Sequence, residues 1–330
     1  MAGEGYGRPM PLRTPLCDLL GVRHPIGNAG MAGVAGPALC GAVAEAGGIA
    51  SLALSLAAPD DVAGLVADVR ARSSLPFSVN LITWILDGRE ELLDAALGEG
   101  VASITLSFGD PTPYVGRVHD GGALAICQVQ TLEAARRALA AGADVLIAQG
   151  SEAGGHTGEI PLLPFLPQVV DAAGDVPVIA AGGIGDGRGL AAVLMLGAQG
   201  ALMGTRFLAA PEAASEVWPH LGGDVVDASA DDTVWSTAFD IEQGRGRSPW
   251  PTGLGERSIR TPFLDEWAGR EEQLAAALRE SDADVGDATP SYAGPIAGMV
   301  TEREAVGDII EGVVGEATEA LRSGVERFTS

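Results

Sequence analysis

The residues best suited to chemistry lie at 149–158, where the sequence reads QGSEAGGHTG. This segment follows the apolar run VLIA at 145–148, which is typical of a buried strand. Glycines at a strand end let a ligand approach backbone amides closely, because no Cβ atom stands in the way. His156 adds the one side chain whose charge can change near neutral pH. The segment therefore predicts a cofactor site with an acid/base or anion-positioning group beside it.

Two more glycine-rich turns end apolar runs, AAGGI at 180–184 and LMGT at 202–205. In α/β barrels the loops after the last two strands, with the start of a short helix, commonly bind phosphate. Open amides would bind the phosphate oxygens, and Thr205 would add a hydroxyl donor. Each turn alone is equally well explained as a tight turn that needs positive φ. The two together favour a bound phosphate.

Three carboxamides close apolar runs, at Asn80, Gln128 and Gln149. A buried amide needs hydrogen-bond partners, which either a ligand or the neighbouring backbone can supply. We predict that Gln128 and Gln149 occupy the same relative place on their strands. Together the three would match the mixed donor and acceptor edge of a flavin's pyrimidine ring, although each is equally well explained as structural.

Other chemical classes find little support in the sequence. The remaining histidines, His24, His119 and His220, are expected to be surface or structural residues. The three cysteines are far apart, which indicates small buried residues and argues against a disulfide framework, a structural zinc site or a nucleophile. There is no Ser-His-Asp order, P-loop or HExxH motif, so we expect neither a hydrolase nor a metal site.

The charge of the chain restricts its partners. The formal net charge is −24, and all 20 basic residues are arginine. Such an acidic chain is repelled by phosphate backbones and anionic lipid, so we expect neither nucleic acid nor membrane as a partner. The sequence shows no leader and no apolar run long enough to cross a bilayer. We therefore expect a cytoplasmic location.

The elements that would position these residues repeat one pattern: a short apolar run, a turn and an alanine-rich segment of helical period. The apolar runs begin near His24, Gly48, Phe77, Ala102, Ala123, Asp144, Val176 and Gly200. Near-continuous apolar strands indicate a parallel sheet that is buried on both faces. Eight consecutive units favour a closed (β/α)8 TIM barrel over an open doubly wound α/β sheet.

After Thr205 the pattern changes. Four of the five tryptophans follow, with several prolines and glycines and no strand–helix alternation. We predict a (β/α)8 barrel over 16–210 and a mostly helical cap or substrate domain over 211–330. Its helices are expected at 271–278 and 303–322, and the last should return to pack on the barrel. Trp235, Phe239 and Trp250 of the cap would set the substrate pocket.

The chain resembles the nitronate monooxygenases, formerly called 2-nitropropane dioxygenases. These are FMN-dependent (β/α)8 flavoproteins whose relatives include flavin-dependent enoyl-acyl-carrier-protein reductases. The likeness covers most of 16–210 and returns at 292–321. It is carried by QGSEAGGHTG at 149–158, PIGNAGMAGVAGPALCGAVAEAGG at 25–48, VN at 79–80, AAGGIGDGRG at 180–189 and LMGTRFL at 202–208.

The resemblance implies a catalytic role for His156 and a set of contacts to FMN. The implied contacts are Asn28, Ala29, Gly30, Met31, Asn80, Gln149, Gly154, Gly183, Leu202, Met203, Gly204 and Thr205. Gln128, Gly155 and Gly182 complete the predicted cofactor site. Two segments depart from the family pattern: NAGM at 28–31 replaces a Gln-Ala-Pro-Met type of sequence, and AGPI at 293–296 replaces Ala-Gly-Gln-Gly.

By this resemblance the chain would oxidise alkyl nitronates with O₂ to a carbonyl compound and nitrite. His156 would bind the nitro oxygens as imidazolium or act as a base on a neutral nitroalkane. An NAD(P)H-dependent flavin reductase acting on a quinone or an enoyl thioester is the alternative enzyme. A flavin-binding barrel without chemistry is the third possibility. Barrels of this kind often form dimers, so a homodimer is one of the oligomeric states that the sequence leaves open.

Overall fold

Eight parallel strands form the main sheet of the computed structural model, which describes residues 12–280 and 285–329. The strands are β1 Ile26–Asn28, β2 Ser51–Ala53, β3 Ser78–Ile82, β4 Ser103–Ser107, β5 Leu124–Val129, β6 Val145–Gln149, β7 Gly155–Thr157, β8 Val178–Ala181, β9 Gly200–Met203, β10 Thr233–Ser236 and β11 Gly255–Ile259. All except β7, β10 and β11 belong to the main sheet, in the order β1-β9-β8-β6-β5-β4-β3-β2.

The helices follow the strands in the alternation that the sequence predicts. They are α1 Pro15–Leu20, α2 Pro37–Glu45, α3 Val62–Arg70, α4 Thr83–Leu86, α5 Glu91–Gly98, α6 Thr112–Asp120, α7 Leu132–Ala141, α8 Leu162–Ala173, α9 Gly187–Met195, α10 Thr205–Leu208, α11 Leu221–Asp227, α12 Ala238–Gln243, α13 Pro262–Trp267, α14 Glu271–Glu280 and α15 Val306–Thr329. No helix of the described residues is long and apolar enough to span a bilayer.

The two ends of the main sheet meet between β1 and β2. A parallel bridge joins Gly27 to Ile49, and the Ile49 amide donates to Ile26 O at 2.8 Å. The carboxamide of Asn28 accepts from the Ser51 amide at 3.0 Å and donates to Ser51 O at 2.8 Å, in place of a longer backbone ladder. The sheet is thereby closed, which confirms the predicted (β/α)8 barrel.

Alternation along the strands separates an inner core from an outer one. Ile126, Ile147 and Ile179 point inwards and pack with Leu16 of α1, which covers the lower end of the barrel. The opposite residues of the same strands pack beneath the surrounding helices. Towards the mouth the interior becomes polar, where Asn80 Nδ2 donates to Ser107 Oγ at 3.3 Å. The mouth, at the carboxyl ends of the strands, is therefore the polar end.

The chain after the barrel contributes helices α11–α14 and a small antiparallel sheet. That sheet has the order β10-β11-β7, so it joins the chain following the barrel to an excursion between β6 and α8. The last helix, α15, packs against α9, where the Gly187 amide donates to Glu316 Oε2 at 2.9 Å. Residue 187 must be small, because a Cβ there would lie 2.3 Å from the Ala317 nitrogen.

Barrel closure depends on the absence of a side chain at Gly27. A Cβ at this position would lie 1.8 Å from Ile49 O. We expect Gly27→Ala to lower the free energy of unfolding by about 2–3 kcal/mol, because backbone must move to admit the methyl group. The measurement is urea unfolding followed by circular dichroism.

Gly64→Ala is the matched control, because Gly64 lies on the exposed side of α3 with no described atom within 4 Å of its Cβ position. It should leave stability unchanged or raise it by up to about 1 kcal/mol. Equal stability of the two variants would contradict this account of closure.

Candidate active site

A pair of carboxamides places His156 above the barrel mouth. Gln130 Nε2 donates to Gln149 Oε1 at 2.9 Å, and Gln149 Nε2 donates to the backbone oxygen of His156 at 3.1 Å. The prediction that Gln128 and Gln149 are equivalent is wrong, because the β5–β6 register pairs Gln128 with Ile147. Gln130 is the residue level with Gln149, two positions nearer the mouth than Gln128.

The imidazole of His156 contacts one buried carboxylate and lies near a second. Its Nε2 is 2.8 Å from Asp240 Oδ1 and 3.7 Å from Glu256 Oε2. Asp240 comes from α12, and Glu256 lies directly opposite His156 in the β7–β11 pairing. The Asp240 and Glu256 side chains are 0% and 1% exposed. The direct Nε2–Oδ1 contact indicates a hydrogen-bonded acid/base group.

The electrostatics of this cluster favour a proton on one carboxyl group. Burial, and then the charge of Asp240, raise the pKa of Glu256 well above its ordinary value. Tyr292 lies beside Glu256, and burial and then that carboxyl group raise the pKa of the Tyr292 phenol well above 10.0. Near neutral pH the cluster therefore favours a neutral phenol and a neutral Glu256.

Aromatic rings surround the imidazole. The Trp250 indole stacks on the His156 ring with centroids 3.4 Å apart and planes 14° apart. Phe108 and Trp84 each lie 5.3 Å from the Trp250 ring in an edge-on arrangement. Phe108 adopts a φ of 57°, which is rare for a bulky residue and directs it into this group at the end of β4. The Trp250 stack therefore fixes the plane of the His156 ring, and the neighbouring aromatic rings make its surroundings apolar.

The ends of β8 and β9 present backbone donors. The N–H groups of Gly183, Gly204 and Thr205 donate to no atom of the described residues. Gly183 has a φ of 69° and is exposed, so its amide is open to a ligand. Gly182 has a φ of 95°, and a Cβ there would lie 2.9 Å from Gly150 O. The Thr205 hydroxyl accepts from the Gly294 amide at 3.0 Å, so its own proton remains to be donated.

The segment after β1 lies against the ends of β3 and β9. A Cβ at Gly30 would lie 2.3 Å from Asn80 Cγ, and one at Gly204 would lie 3.4 Å from Met31 Sδ. Ala29 packs with the inner core and bonds through its amide to Met203 O at 2.9 Å. The Asn28 carboxamide already forms two hydrogen bonds to Ser51 where the barrel closes. A ligand contact from Asn28 would therefore have to come from its backbone.

The remaining predicted residues lie at the barrel mouth and also contribute to packing. A Cβ at Gly154 would lie 2.6 Å from the carbonyl carbon of Ala293, so the AGPI segment packs on this loop. Gly155 has no described atom within 4 Å of its Cβ position and has a φ of 69°. Leu202 lies in the inner core, whereas Met203 packs in the outer one. The predicted residues all gather at the carboxyl ends of the barrel strands.

Sequence reasoning missed several members of this site. Asp240, Glu256, Tyr292 and Gln130 received no role, and Phe108 was not singled out. A usable signal exists for Asp240, because it is a single carboxylate in the otherwise apolar segment AFDI at 238–241. That signal does not say what Asp240 contacts.

The expected cap residues divide between the site and a separate core. Trp250 stacks on the ring of His156, and its part in a substrate pocket stays a prediction. The expectation for Phe239 is wrong, because this ring is fully buried and stacks on Phe263 at 4.9 Å inside the cap. Trp235 lies over Gly255, where a Cβ would approach its ring to 2.5 Å. Only close packing of the cap decides which of these rings can reach a substrate.

The other histidines lie away from the cluster. His24 precedes β1 at the lower end of the barrel, and burial, then Arg23, lower its pKa. His119 on α6 pairs with Asp144 Oδ2 at 2.9 Å, and both side chains are partly exposed. His220 in the cap contacts Pro290 O at 3.1 Å.

A closed α/β barrel with a histidine held by buried carboxylates at its mouth is the architecture of an α/β-barrel enzyme. The family model described as nitronate monooxygenase matches residues 13–316. The chain therefore belongs to the nitronate monooxygenase family. Enzymes similar to it are oxidoreductases, and the chain is a flavin-dependent oxidoreductase.

Three similar proteins show the range within this group. A Mycobacterium tuberculosis protein named (3aS,4S,5R,7aS)-5-hydroxy-7a-methyl-1-oxo-octahydro-1H-indene-4-carboxyl-CoA dehydrogenase is 37% identical over 82% of this chain and 74% of its own. FabK from Thermotoga maritima has a TM-score of 0.81 and 33% identity, covering 96% and 99% of the two chains. Nitroalkane oxidase from Streptomyces ansochromogenes has a TM-score of 0.75 and 30% identity, covering 94% and 99%.

Thiol chemistry is not expected in this site. All three cysteines are buried and free. Burial, then Asp144, raise the pKa of Cys127 to about 12, and burial raises the pKa of Cys40. At pH 8 about 1 in 10⁴ of the Cys127 side chains is thiolate at such a pKa.

We expect the folded protein to react with Ellman's reagent at pH 8 far more slowly than protein unfolded in guanidinium chloride. The positive control is Ser74→Cys on the exposed surface, which should be labelled at once. Rapid labelling of a native cysteine would contradict this assignment.

Proposed function

We propose that the chain binds FMN and reduces an α,β-unsaturated acyl thioester to the saturated thioester, with His156 transferring the proton to Cα. Bound FMN would supply the hydride donor for Cβ. In this reduction Cβ receives a hydride and Cα receives a proton, and the electrons come from NADH or NADPH. The observation that carries this proposal is the 2.8 Å contact of His156 with buried Asp240.

The fit of FMN rests on groups that lack partners. Three amides, at Gly183, Gly204 and Thr205, are open for a phosphate at the usual barrel position. Gln128 Nε2 is buried and has no hydrogen-bond partner among the described residues, so it needs an acceptor such as a flavin carbonyl. Asn80 lines the same polar end of the interior. These residues would hold the FMN.

A thioester substrate suits the charge and surface of the site. Asp240 offsets the charge of a protonated His156, so the pair attracts an anion less than an isolated imidazolium would. Trp84, Phe108 and Trp250 form an apolar wall that favours an uncharged acyl group. The CoA-ester name of the relative that is 37% identical points to the same substrate class.

Oxidation of an alkyl nitronate by O₂ to a carbonyl compound and nitrite is the second candidate. The similarity to nitroalkane oxidase along 94% of this chain favours it. A protonated His156 could still hydrogen-bond the nitro oxygens. A homodimer and a cytoplasmic location also stay predictions.

Gly183→Val tests the cofactor site. The added side chain would block phosphate approach to the open amide, so we expect purified protein to lose most of its yellow colour and bind FMN at least about 10-fold more weakly. Gly174→Val is the matched control. Gly174 also has a positive φ, of 60°, and no described atom lies within 4 Å of its Cβ position. It lies between α8 and β8, at the other end of the barrel. Stoichiometric flavin in Gly183→Val would refute this placement.

His156→Asn tests the reaction. We expect the variant to keep its flavin while turnover falls by about 10²–10⁴-fold, the usual contribution of a general acid or base. His119→Asn, which removes the other His–Asp pair, should retain full activity.

Anaerobic mixing with NADH or NADPH and then an enoyl-CoA should bleach and restore the flavin absorbance. Bleaching by propyl-2-nitronate, with no response to NAD(P)H or thioester, would replace the first candidate with the second. Full turnover by His156→Asn would remove the histidine from the mechanism.

A further inference from the structure

We infer that His156, Asp240 and Glu256 form one buried proton site, in which Asp240 holds the Nε2 proton, Nδ1 exchanges a proton with the substrate and Glu256 stays a neutral acid. Asp240 and Glu256 are positioning residues in this arrangement. The inference deepens the proposed function and rests on its assignment of proton transfer to His156.

The contact with Asp240 determines which imidazole nitrogen is free. Nε2 lies 2.8 Å from Asp240 Oδ1, and an ionised carboxylate can only accept, so Nε2 must carry the proton. Nδ1 has no hydrogen-bond partner among the described residues. In the neutral ring Nδ1 is therefore the base, and in the charged ring it is the acid.

The burial of Asp240 makes this contact a strong constraint. A fully buried carboxylate is very unfavourable unless a positive charge or hydrogen bonds compensate it. Asp240 Oδ2 accepts no hydrogen bond from a described residue, so His156 is the main compensation at Oδ1. Asp240 thereby stabilises the protonated ring and fixes its orientation, while the Trp250 stack holds its plane.

Glu256 cannot be ionised at the same time as Asp240 unless a second cation lies beside them. One imidazolium beside two ionised buried carboxylates would leave a net negative charge in an apolar setting. A proton on Glu256 removes that charge. One side-chain ligand atom of each of the three residues lies within 4.8 Å of the others, so a charge on Glu256 would lie close to the charge of Asp240. The raised pKa of Glu256, caused by burial and then Asp240, agrees with this state.

The other titratable groups around the cluster do not change this balance. Tyr292 faces Glu256 as a neutral phenol, because burial and then Glu256 raise its pKa. Arg257 neighbours Glu256 on β11, where successive side chains point to opposite faces, and its Nε donates to Ser151 O at 3.0 Å. Arg245 and Arg247, in the chain leading to Trp250, are exposed.

The first test is direct and uses the unmodified, flavin-loaded protein. Imidazole nitrogens are labelled with ¹⁵N, and the four histidines are assigned with His→Asn variants. The neutral His156 ring should carry its proton on Nε2, with Nδ1 unprotonated. A neutral ring protonated on Nδ1 would overturn the inference.

The second test separates the two acids. Asp240→Asn should allow both neutral tautomers of His156 in the ¹⁵N spectrum, because a side-chain amide can either accept from Nε2 or donate to it. It should also lower turnover by about 10²-fold or more. Glu256→Gln replaces a neutral acid with a neutral amide, so both the tautomer and the turnover should change much less. Equal effects of the two variants would show that Glu256 is ionised and would overturn its assigned state.

Asp144→Asn is the matched control. It removes the carboxylate beside His119 and should leave the His156 tautomer and turnover unchanged. An unchanged His156 tautomer in Asp240→Asn would overturn the role of Asp240. Because the tautomer is read without substrate, an expected NMR result with no thioester turnover would refute the proposed substrate and leave the proton site intact.

Discussion

The contact between His156 and Asp240 is the interaction on which the site depends. A carboxylate with no exposed surface must have a compensating partner, and the structure brings the imidazole to 2.8 Å from it. That arrangement requires β7, α12 and β11 to meet above the barrel mouth. The small sheet formed by β7, β10 and β11 therefore helps to hold the histidine beside the two acids.

The barrel and the chain that follows it have different tasks. The barrel supplies closed walls, a polar mouth and open amides at the ends of β8 and β9. The later chain supplies both carboxyl groups and the indole that covers the imidazole. The two parts are locked by backbone contacts, because Gly154 and Ala293 approach too closely to admit a Cβ and the Gly294 amide bonds to Thr205.

The electrostatics of the site contrast with those of the chain. The chain carries a formal net charge of −24, whereas burial and the charge of Asp240 raise the pKa of Glu256 and so favour its neutral form. The proposed thioester chemistry would use such a low local charge beside the aromatic wall.

The sequence by itself determined the barrel, because each apolar run and each helical period is a local pattern that neighbouring residues set. It also determined the glycine turns and His156, since a turn and its positive φ are local as well. Asp240 lies 84 residues from His156, and Glu256 meets it only through the β7–β11 register. Strand register likewise placed Gln130, not Gln128, beside Gln149, and packing buried Phe239. Such contacts between distant segments arise only when the folded chain buries them together, so tertiary structure alone decided them.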